Sequence, residues 1–273
     1  MHFNKSAFGA LLMICFGTLY TIVAFALPMW TVNKTVNAAL SDEVTSTNFK
    51  AGLMGFCVDS ELTNSTTTLD HCFYYKFGST YDDLSVLNDK IWSTYGGSGI
   101  CAAYGDAGDV SDATQLEYVT VLATAAGMDA EQFDKFLDKS CGLLGMATMT
   151  FGGMSFSNGL MAIVTFIATM TCRKGNKKWV GASYFFPGVS AVTAALTFVL
   201  WIVQAKPLGE EDDTSLKTSF FLMIVAMVHY PAAVYMYWRY QNEQRQMSEG
   251  KATVDVTYTG AGTPIASAPE ETV

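Results

Sequence analysis

The first long apolar stretch of the sequence, residues 7–30, reads AFGALLMICFGTLYTIVAFALPMW. It contains no Asp, Glu, Lys or Arg, and it exceeds the roughly 20 residues that cross a hydrocarbon layer about 30 Å thick as a helix. Three more stretches have the same character: residues 146–171, 180–204 and 219–238. Because a bilayer requires every backbone N–H and C=O to be paired internally, such stretches must be helices. The sequence therefore predicts an α-helical membrane protein with a four-transmembrane-helix bundle.

The overall composition agrees with this prediction. Only 15% of the 273 residues are charged, against about 25% in an ordinary soluble chain, and the mean hydropathy is +0.24. The first stretch is longer than the apolar region of a signal peptide, which holds about 7 to 15 residues, and Pro28-Met29-Trp30 is not a cleavage site. We therefore expect the first stretch to remain in the protein as a span.

The distribution of lysine and arginine orients the four spans. These residues flank the spans on one side: Lys5, Arg173, Lys174, Lys177, Lys178, Arg239, Arg245 and Lys251. Because cytoplasmic loops carry the excess of Lys and Arg, the pattern places both termini, residues 1–6 and 239–273, and the turn at 172–179 in the cytoplasm. Residues 31–140 and 205–218 are then the outer loops of a multi-pass protein that we expect in the plasma membrane.

The long outer loop, residues 31–140, has the marks of an exterior segment. It carries sixteen acidic residues against six lysines and two glycosylation sequons, which begin at Asn33 and Asn64. Four of the six cysteines lie in this loop or at its end: Cys57, Cys72, Cys101 and Cys141. An oxidising compartment would pair them, and three pairings are open. We favour Cys57 with Cys72 and Cys101 with Cys141, because each of these bonds closes a local segment.

The same loop is too long to lack regular structure. Short β-type runs at 29–32, 51–58 and 71–77 predict a small antiparallel sheet in its first half. In the second half, Asp112 can cap a helix that runs to about residue 126. Asp129 can cap another, in which Phe133, Phe136 and Leu137 share a face. The loop is thus predicted to be a β-sheet followed by a helical insertion.

Two small-residue pairs in the spans, Ser155 with Gly159 and Ser190 with Ala194, predict close helix packing. We interpret them as contacts within one bundle rather than between copies. The only histidine in the spans is His229, which we interpret as a hydrogen-bonded neutral imidazole beside a proline kink at Pro231.

Catalytic and ligand-binding motifs are missing from the sequence. There is no H-E-x-x-H, C-x-x-C, G-x-S-x-G or P-loop pattern, and no Asp, Glu, Lys or Arg lies within the four apolar stretches. Transporters and pumps usually keep such a charge at membrane depth. We therefore predict a protein that is not an enzyme and has no cofactor, no metal site and no nucleic-acid partner.

Five residues of the first loop resemble a known signature. Trp30, Gly52-Leu53, Cys57 and Cys72 are similar to the W…G-L-W…C…C pattern of the superfamily of claudins, peripheral myelin proteins and epithelial membrane proteins. The resemblance implies that Trp30 anchors the first strand at the membrane surface and that the cysteine pair staples two adjacent strands. Met54 stands where the family has tryptophan, and fourteen residues separate the cysteines where about eight to ten are usual. Relatives with longer loops include fungal cortical-domain proteins, nematode claudin-like proteins and stargazin-like subunits.

The resemblance implies a structural protein that organises membrane domains or cell contacts through its outer loop and self-associates in the membrane. The alternative is an auxiliary subunit that regulates the gating or trafficking of an ion channel or receptor. Two cytoplasmic features suit either function. Cys172, at the end of the second span, is a candidate palmitoylation site. The largely disordered tail ends in Glu271-Thr272-Val273, a candidate ligand for a PDZ scaffold.

Overall fold

The computed structural model describes residues 5–63, 68–78, 81, 84–172, 175–210 and 214–260 of the chain. Its four long helices are α1 (Lys5–Ala26), α6 (Leu143–Thr171), α7 (Lys177–Gln204) and α8 (Thr218–Gly260). Each contains a stretch that is long and apolar enough to cross a bilayer, and in α8 this stretch is Thr218–Met247. The chain is therefore a four-span membrane protein, as the sequence predicted.

Two of the long helices end four or more residues away from the end of the predicted span. α1 ends at Ala26 rather than at residue 30, because Pro28 has no N–H for the helical ladder and disfavours helical backbone at the residue before it. α8 continues past residue 238 to Gly260. The segment predicted as a disordered tail thus begins as an extension of the last helix, and residues 261–273 lie outside the described part of the chain.

Residues 31–142, which we call the loop domain, begin with an antiparallel sheet. Its strands are β1 (Thr31–Asn33), β2 (Val44–Thr47), β3 (Phe49–Ala51), β4 (Gly55–Leu62) and β5 (Thr68–Tyr74). β4 is central, because β5 pairs along one edge while β2 and β3 follow each other along the other. β1 pairs with β3 and also with β6 (Ser215–Leu216), which lies between α7 and α8.

The predicted β-type runs overlap β1, β4 and β5, and the structure adds β2, β3 and β6. β2 is a short polar segment with the sequence VTST, and β6 has only two residues. Neither carries an apolar alternation of its own. Each is a strand because a neighbouring strand supplies its hydrogen bonds, which sequence patterns do not reveal.

Four helices follow the sheet and complete the loop domain. They are α2 (Ser85–Tyr95), α3 (Ile100–Val110), α4 (Asp112–Ala126) and α5 (Ala130–Cys141). The sequence predicted the last two, whereas α2 and α3 were missed. The helical insertion therefore begins well before residue 111.

The structure corrects one helix cap and confirms another. The N-cap of α4 is Ser111, whose Oγ accepts a hydrogen bond from the Thr114 backbone N–H at 3.1 Å. Asp112, which we predicted as the cap, is instead the first helical residue. Its negative charge there interacts favourably with the positive end of the helix dipole. Asp129 caps α5 as predicted, because its Oδ1 accepts from the Gln132 backbone N–H at 3.1 Å.

The helical insertion packs on the sheet. Phe133, Phe136 and Leu137 are fully buried, so the predicted apolar face of α5 is confirmed. The ring of Phe133 lies 5.9 Å from that of Phe49 and 5.5 Å from that of Phe56. Aromatic side chains of the insertion thus cover one face of the sheet and form a common core with it.

All four spans meet at a cluster of small and hydroxyl-bearing residues in the bundle. The Tyr230 hydroxyl of α8 lies 3.0 Å from Thr21 Oγ1 of α1, and Ser155 Oγ of α6 donates to the Ser190 carbonyl of α7 at 3.0 Å. Gly159 faces the same cluster and is buried. The small residues thus pack within one bundle, as predicted, and bring polar groups close enough to bond across helices.

Gly159→Ala tests this packing. An added Cβ would lie 2.5 Å from Thr18 Oγ1 and 2.9 Å from the Tyr230 hydroxyl. We expect the free energy of unfolding to fall by about 1–3 kcal/mol, as for other overpacked cores. Thermal unfolding of the purified protein in detergent measures the effect.

Gly153→Ala is the matched control, because a Cβ on this α6 residue meets nothing within 4 Å. It should leave stability unchanged or raise it slightly, since alanine favours helices over glycine. Equal destabilisation by both substitutions would contradict the proposed packing.

Candidate functional site

The residues of the family-like signature lie where the loop domain joins the spans. Trp30 is fully buried there. Its indole ring packs against Trp201 of α7, with centroids 5.5 Å apart, and against Phe220 of α8, with centroids 6.2 Å apart. The side chain that the resemblance implied as a surface anchor thus lies inside a contact between the sheet and the spans.

A hydrogen bond explains why tryptophan suits this position. In a regular helix the Ala24 carbonyl would accept from the N–H of residue 28, but that residue is Pro28 and has no N–H. Trp30 Nε1–H donates to the Ala24 carbonyl instead, at 2.6 Å. Trp30 therefore satisfies a carbonyl that would otherwise be unpaired at the end of the span, where an unpaired polar group is costly.

Further hydrogen bonds attach the chain after α1 to its neighbours in the region where the loop domain joins the spans, which we call the junction. The Trp30 N–H donates to the Ala51 carbonyl of β3, and the Trp30 carbonyl accepts from the Lys217 N–H, both at 3.0 Å. The indole of Trp201 donates from Nε1 to Thr31 Oγ1 at 3.1 Å. The first strand is thereby held by α7, by the start of α8 and by the sheet.

Gly52 and Leu53 fit closely into the same junction. A Cβ on Gly52 would lie 2.6 Å from Pro28 Cα and 2.9 Å from the Leu27 carbonyl oxygen. Backbone atoms cannot move aside as a flexible side chain can, so this position requires glycine. Leu53 is buried, and its Cδ1 lies over the backbone of Gly152 in α6.

Two disulfides cross-link the loop domain. Cys57 and Cys72 face each other on the neighbouring strands β4 and β5 and are bonded. Cys101 of α3 is bonded to Cys141 at the end of α5, 40 residues along the chain. The structure thus has the pairing that we favoured because each bond closes a local segment. The second bond holds the helical insertion together directly above α6.

The end of α5 also contacts the end of α7. Gln204 Nε2 donates to Ser140 Oγ at 3.0 Å, and both residues are buried. Lys139 Nζ donates to the Val203 carbonyl at 3.2 Å. The helical insertion is therefore fixed to the spans as well as to the sheet.

An open groove of about 500 Å³ lies on the loop domain beside the end of β2, between α2 and α4. Leu87 and Leu116 supply apolar surface, and Glu43 and Glu117 supply carboxylates. Leu116 is 51% exposed. At the groove, Asn88 leaves the helical conformation of α2, and its Oδ1 accepts from the Ile91 N–H at 3.2 Å. The groove offers apolar contact beside negative charge.

One of the two sequon residues lies inside the fold. Asn33 lies in β1 and is 1% exposed. Its Oδ1 accepts from the Thr35 N–H at 2.8 Å, and its Nδ2, the atom that carries an N-linked glycan, is buried. We therefore expect no glycan at Asn33 in the folded protein. The other sequon residue, Asn64, lies outside the described residues.

The remaining candidate residues are Cys172, His229 and the last three residues of the chain. Cys172 is an exposed free thiol at the end of α6, and its palmitoylation stays a prediction. His229 Nδ1 lies 2.8 Å from the Val225 carbonyl, and its ring makes an edge contact with Tyr20. This agrees with a hydrogen-bonded imidazole next to Pro231. Glu271, Thr272 and Val273 lie outside the described residues.

Among the described residues of the loop domain, two tyrosine hydroxyls lie in the core. Burial raises the pKa of the Tyr75 and Tyr118 hydroxyls, so both are neutral core groups. Within the described ranges, no group of three His, Cys, Asp or Glu residues could hold a metal ion.

No protein-family model matches the chain, and a search of the curated proteins found no match. The family assignment is therefore a proposal that depends on the signature residues and on their place in the fold.

Trp30→Phe tests the role of the indole N–H. The substitution leaves the Ala24 carbonyl unpaired, and we expect the free energy of unfolding to fall by about 1–3 kcal/mol. Trp238→Phe is the control, because Trp238 is 51% exposed on α8. Adding Pro28→Ala to Trp30→Phe restores an N–H at position 28 and should recover part of the loss. Thermal unfolding measures all three, and equal losses for the two tryptophan variants would contradict the role.

Glycosidase treatment of the protein from eukaryotic cells tests the burial of Asn33. We expect the glycosidase to shift the electrophoretic mobility of the Asn33→Gln variant as much as that of the wild-type protein. It should not shift the mobility of the Asn64→Gln variant. A shift that is lost with Asn33→Gln would mean that β1 is not paired as described when the sugar is transferred.

Proposed function

We propose that the protein is a claudin-like integral membrane protein that organises membrane domains or cell contacts through its loop domain. The observation that carries the proposal is the junction, which unites Trp30, Gly52 and Leu53 beneath a sheet that the Cys57–Cys72 bond staples. In the superfamily that the signature resembles, the tryptophan anchors the first strand at the membrane surface and the cysteine pair staples two adjacent strands.

The rigid attachment of the loop domain supports a role in contacts with other proteins. The sheet, the helical insertion and the ends of the spans share one hydrophobic core, which includes Trp30, Trp201 and Phe136. A domain held in this way presents a fixed surface to a partner, which lowers the entropy lost on binding. Because Glu43 and Glu117 flank the apolar groove, a partner segment with apolar and basic side chains complements it best.

The remaining parts of the proposal concern location and partners. We place the protein in the plasma membrane with both termini in the cytoplasm and the loop domain outside, where disulfides persist. Self-association in the bilayer would cluster it, and a PDZ scaffold would bind its C-terminus. We propose no catalytic role, no cofactor and no nucleic-acid partner.

The test combines imaging with crosslinking in intact cells. The tagged protein is expressed at low level, its position at cell contacts is recorded, and crosslinked products are identified by mass spectrometry. We expect patches or accumulation at contacts, together with ladders of the protein itself. A monomeric protein that recovers a channel or receptor stoichiometrically from its native cell would contradict the proposal and favour an auxiliary subunit.

A matched pair of variants assigns the effect to the groove. Leu116→Glu places a third carboxylate in the groove. Val110→Glu changes an apolar residue at the end of α3 that is also exposed but lies outside the groove. Both changes are at exposed positions and should fold. We expect Leu116→Glu to reduce accumulation at contacts several-fold and Val110→Glu to leave it unchanged. Equal behaviour of the two would show that the groove is not the contact surface.

A further inference from the structure

Two apolar surfaces of the protein lie outside the groove of the proposed contact function. The first is an open cleft of about 460 Å³ between α7 and α8, within the spans, where lipid is the surrounding medium. The second lies on the loop domain and consists of Tyr74 and Phe77, which we call the aromatic edge. Both side chains are exposed, Phe77 to 59%. Only the aromatic edge belongs to a segment that the span prediction places in water, so its exposure needs a cause.

The aromatic edge lies beside the end of the first span. Tyr74 shares a small pocket with Ala26, the last residue of α1, and with Pro28. The rings of Tyr74 and Phe77 contact each other edge to face, with centroids 6.5 Å apart. α1 has 22 residues and is about 33 Å long at 1.5 Å per residue, so its end reaches the boundary of a hydrocarbon layer about 30 Å thick. The aromatic edge is therefore at the level where acyl chains meet headgroups.

A lipid-facing stripe of α1 leads directly to the aromatic edge. Exposed residues recur every three or four positions along this helix, as expected for one helical face: Phe8, Leu12, Phe16, Leu19, Ile22 and Ala26. Because α1 is a membrane span, lipid contacts this face. Its last member, Ala26, lines the pocket together with Tyr74. The aromatic edge thus continues a surface that lipid already covers.

The backbone of the aromatic edge is held in place by the loop domain. The Tyr75 N–H donates to the Met54 carbonyl at 3.0 Å, and the Cys101 N–H of α3 donates to the Tyr75 carbonyl at 3.1 Å. The Tyr75 side chain is buried. Because successive side chains of an extended chain point to opposite sides, its neighbours Tyr74 and Lys76 point outward, and both are exposed. The core of the loop domain thereby fixes the aromatic edge in its exposed position.

We propose that the aromatic edge inserts into the phospholipid leaflet on the side of the loop domain, with the Tyr74 and Phe77 rings between acyl chains and headgroups. Aromatic rings with a polar tip are enriched at this depth, because one end is apolar and the other is wet. The exposed Lys76 lies between the two aromatic residues in the chain. Its long stem can follow apolar surface while its ammonium group stays among the lipid phosphates.

The aromatic edge and the groove lie at opposite ends of the sheet. β4 runs from Gly55, which pairs with Tyr74, to Leu62, which pairs with Val44. At about 3.3 Å per residue, these two ends are about 23 Å apart along the strand. Glu43 of the groove is next to Val44. One end of the sheet thus contacts lipid while the other presents the groove, and each contact can be tested without the other.

Electron paramagnetic resonance of spin-labelled full-length protein in phosphatidylcholine nanodiscs tests the lipid contact. The free cysteines Cys15 and Cys172 are replaced by serine, and a nitroxide is attached to the Phe77→Cys variant. Oxygen partitions into lipid whereas a water-soluble nickel chelate does not, so the ratio of the two accessibilities reports the depth of the label. We expect this ratio to be several-fold higher at position 77 than at an exposed position in water.

Two labelled positions calibrate the measurement. Leu116→Cys is the control for water, because Leu116 is 51% exposed but lies in the groove. Leu19→Cys is the control for lipid, because Leu19 is 50% exposed on the lipid-facing stripe of α1. The ratio at position 77 should lie between these two and clearly above that of Leu116→Cys. A ratio equal to that of Leu116→Cys would overturn the proposal.

The protein-to-lipid ratio distinguishes lipid from a second copy of the protein as the occupant. In proteoliposomes, a label covered by another copy loses accessibility to oxygen and to nickel as this ratio rises, whereas a label in lipid keeps its accessibility. Loss of both at position 77 would overturn the proposal in favour of a contact between copies. Lys76→Cys repeats the test at a neighbouring exposed position, and its depth should lie between those of Phe77→Cys and Leu116→Cys. It decides the question even where Phe77→Cys does not fold.

Discussion

A carbonyl at the end of a membrane span needs a hydrogen-bond donor, and in this protein the donor comes from a residue outside the span. Pro28 ends α1 and deprives the Ala24 carbonyl of its helical partner, and the indole N–H of Trp30 replaces it. To do so, the ring of Trp30 must turn back against the helices. Its backbone is then free to pair with Ala51 and start the sheet. One proline and one tryptophan thus fix where the membrane part ends and where the loop domain begins.

The rest of the loop domain follows from this starting point. β1 is short and lies directly over the spans, so β3 and β6 can pair on its two sides. The remaining strands extend the sheet away from the membrane, and their apolar face is covered by the aromatic side chains of α5. Because this core continues into Trp30 and Trp201, the loop domain and the bundle form one packed unit. Such a unit presents a fixed surface.

The two ends of the bundle differ in their packing. Towards the loop domain, Phe198 of α7 packs against Phe220 of α8, and Gln204 and Ser140 connect the bundle to α5. Near the centre, Gly159 and the surrounding hydroxyl groups hold all four helices close. At the opposite end, the prolines of α7 and α8 and the absent side chain of Gly188 leave a cleft. The protein is thus closed where it supports the loop domain and open where it meets the lipid of the other leaflet.

The sequence by itself determined the four spans, because the length of an uncharged apolar run decides whether a helix can cross a bilayer. It also identified the cap at Asp129, the buried face of α5 and a local cysteine pairing, since each depends on residues close together in the chain. The tertiary structure alone decided the strands β2, β3 and β6, the helices α2 and α3, the cap at Ser111 and the burial of Asn33. It alone brought Gly188 to Pro231 and Ala24 to the indole of Trp30. These features depend on which distant segments supply hydrogen bonds and packing surfaces, and local periodicity does not encode that choice.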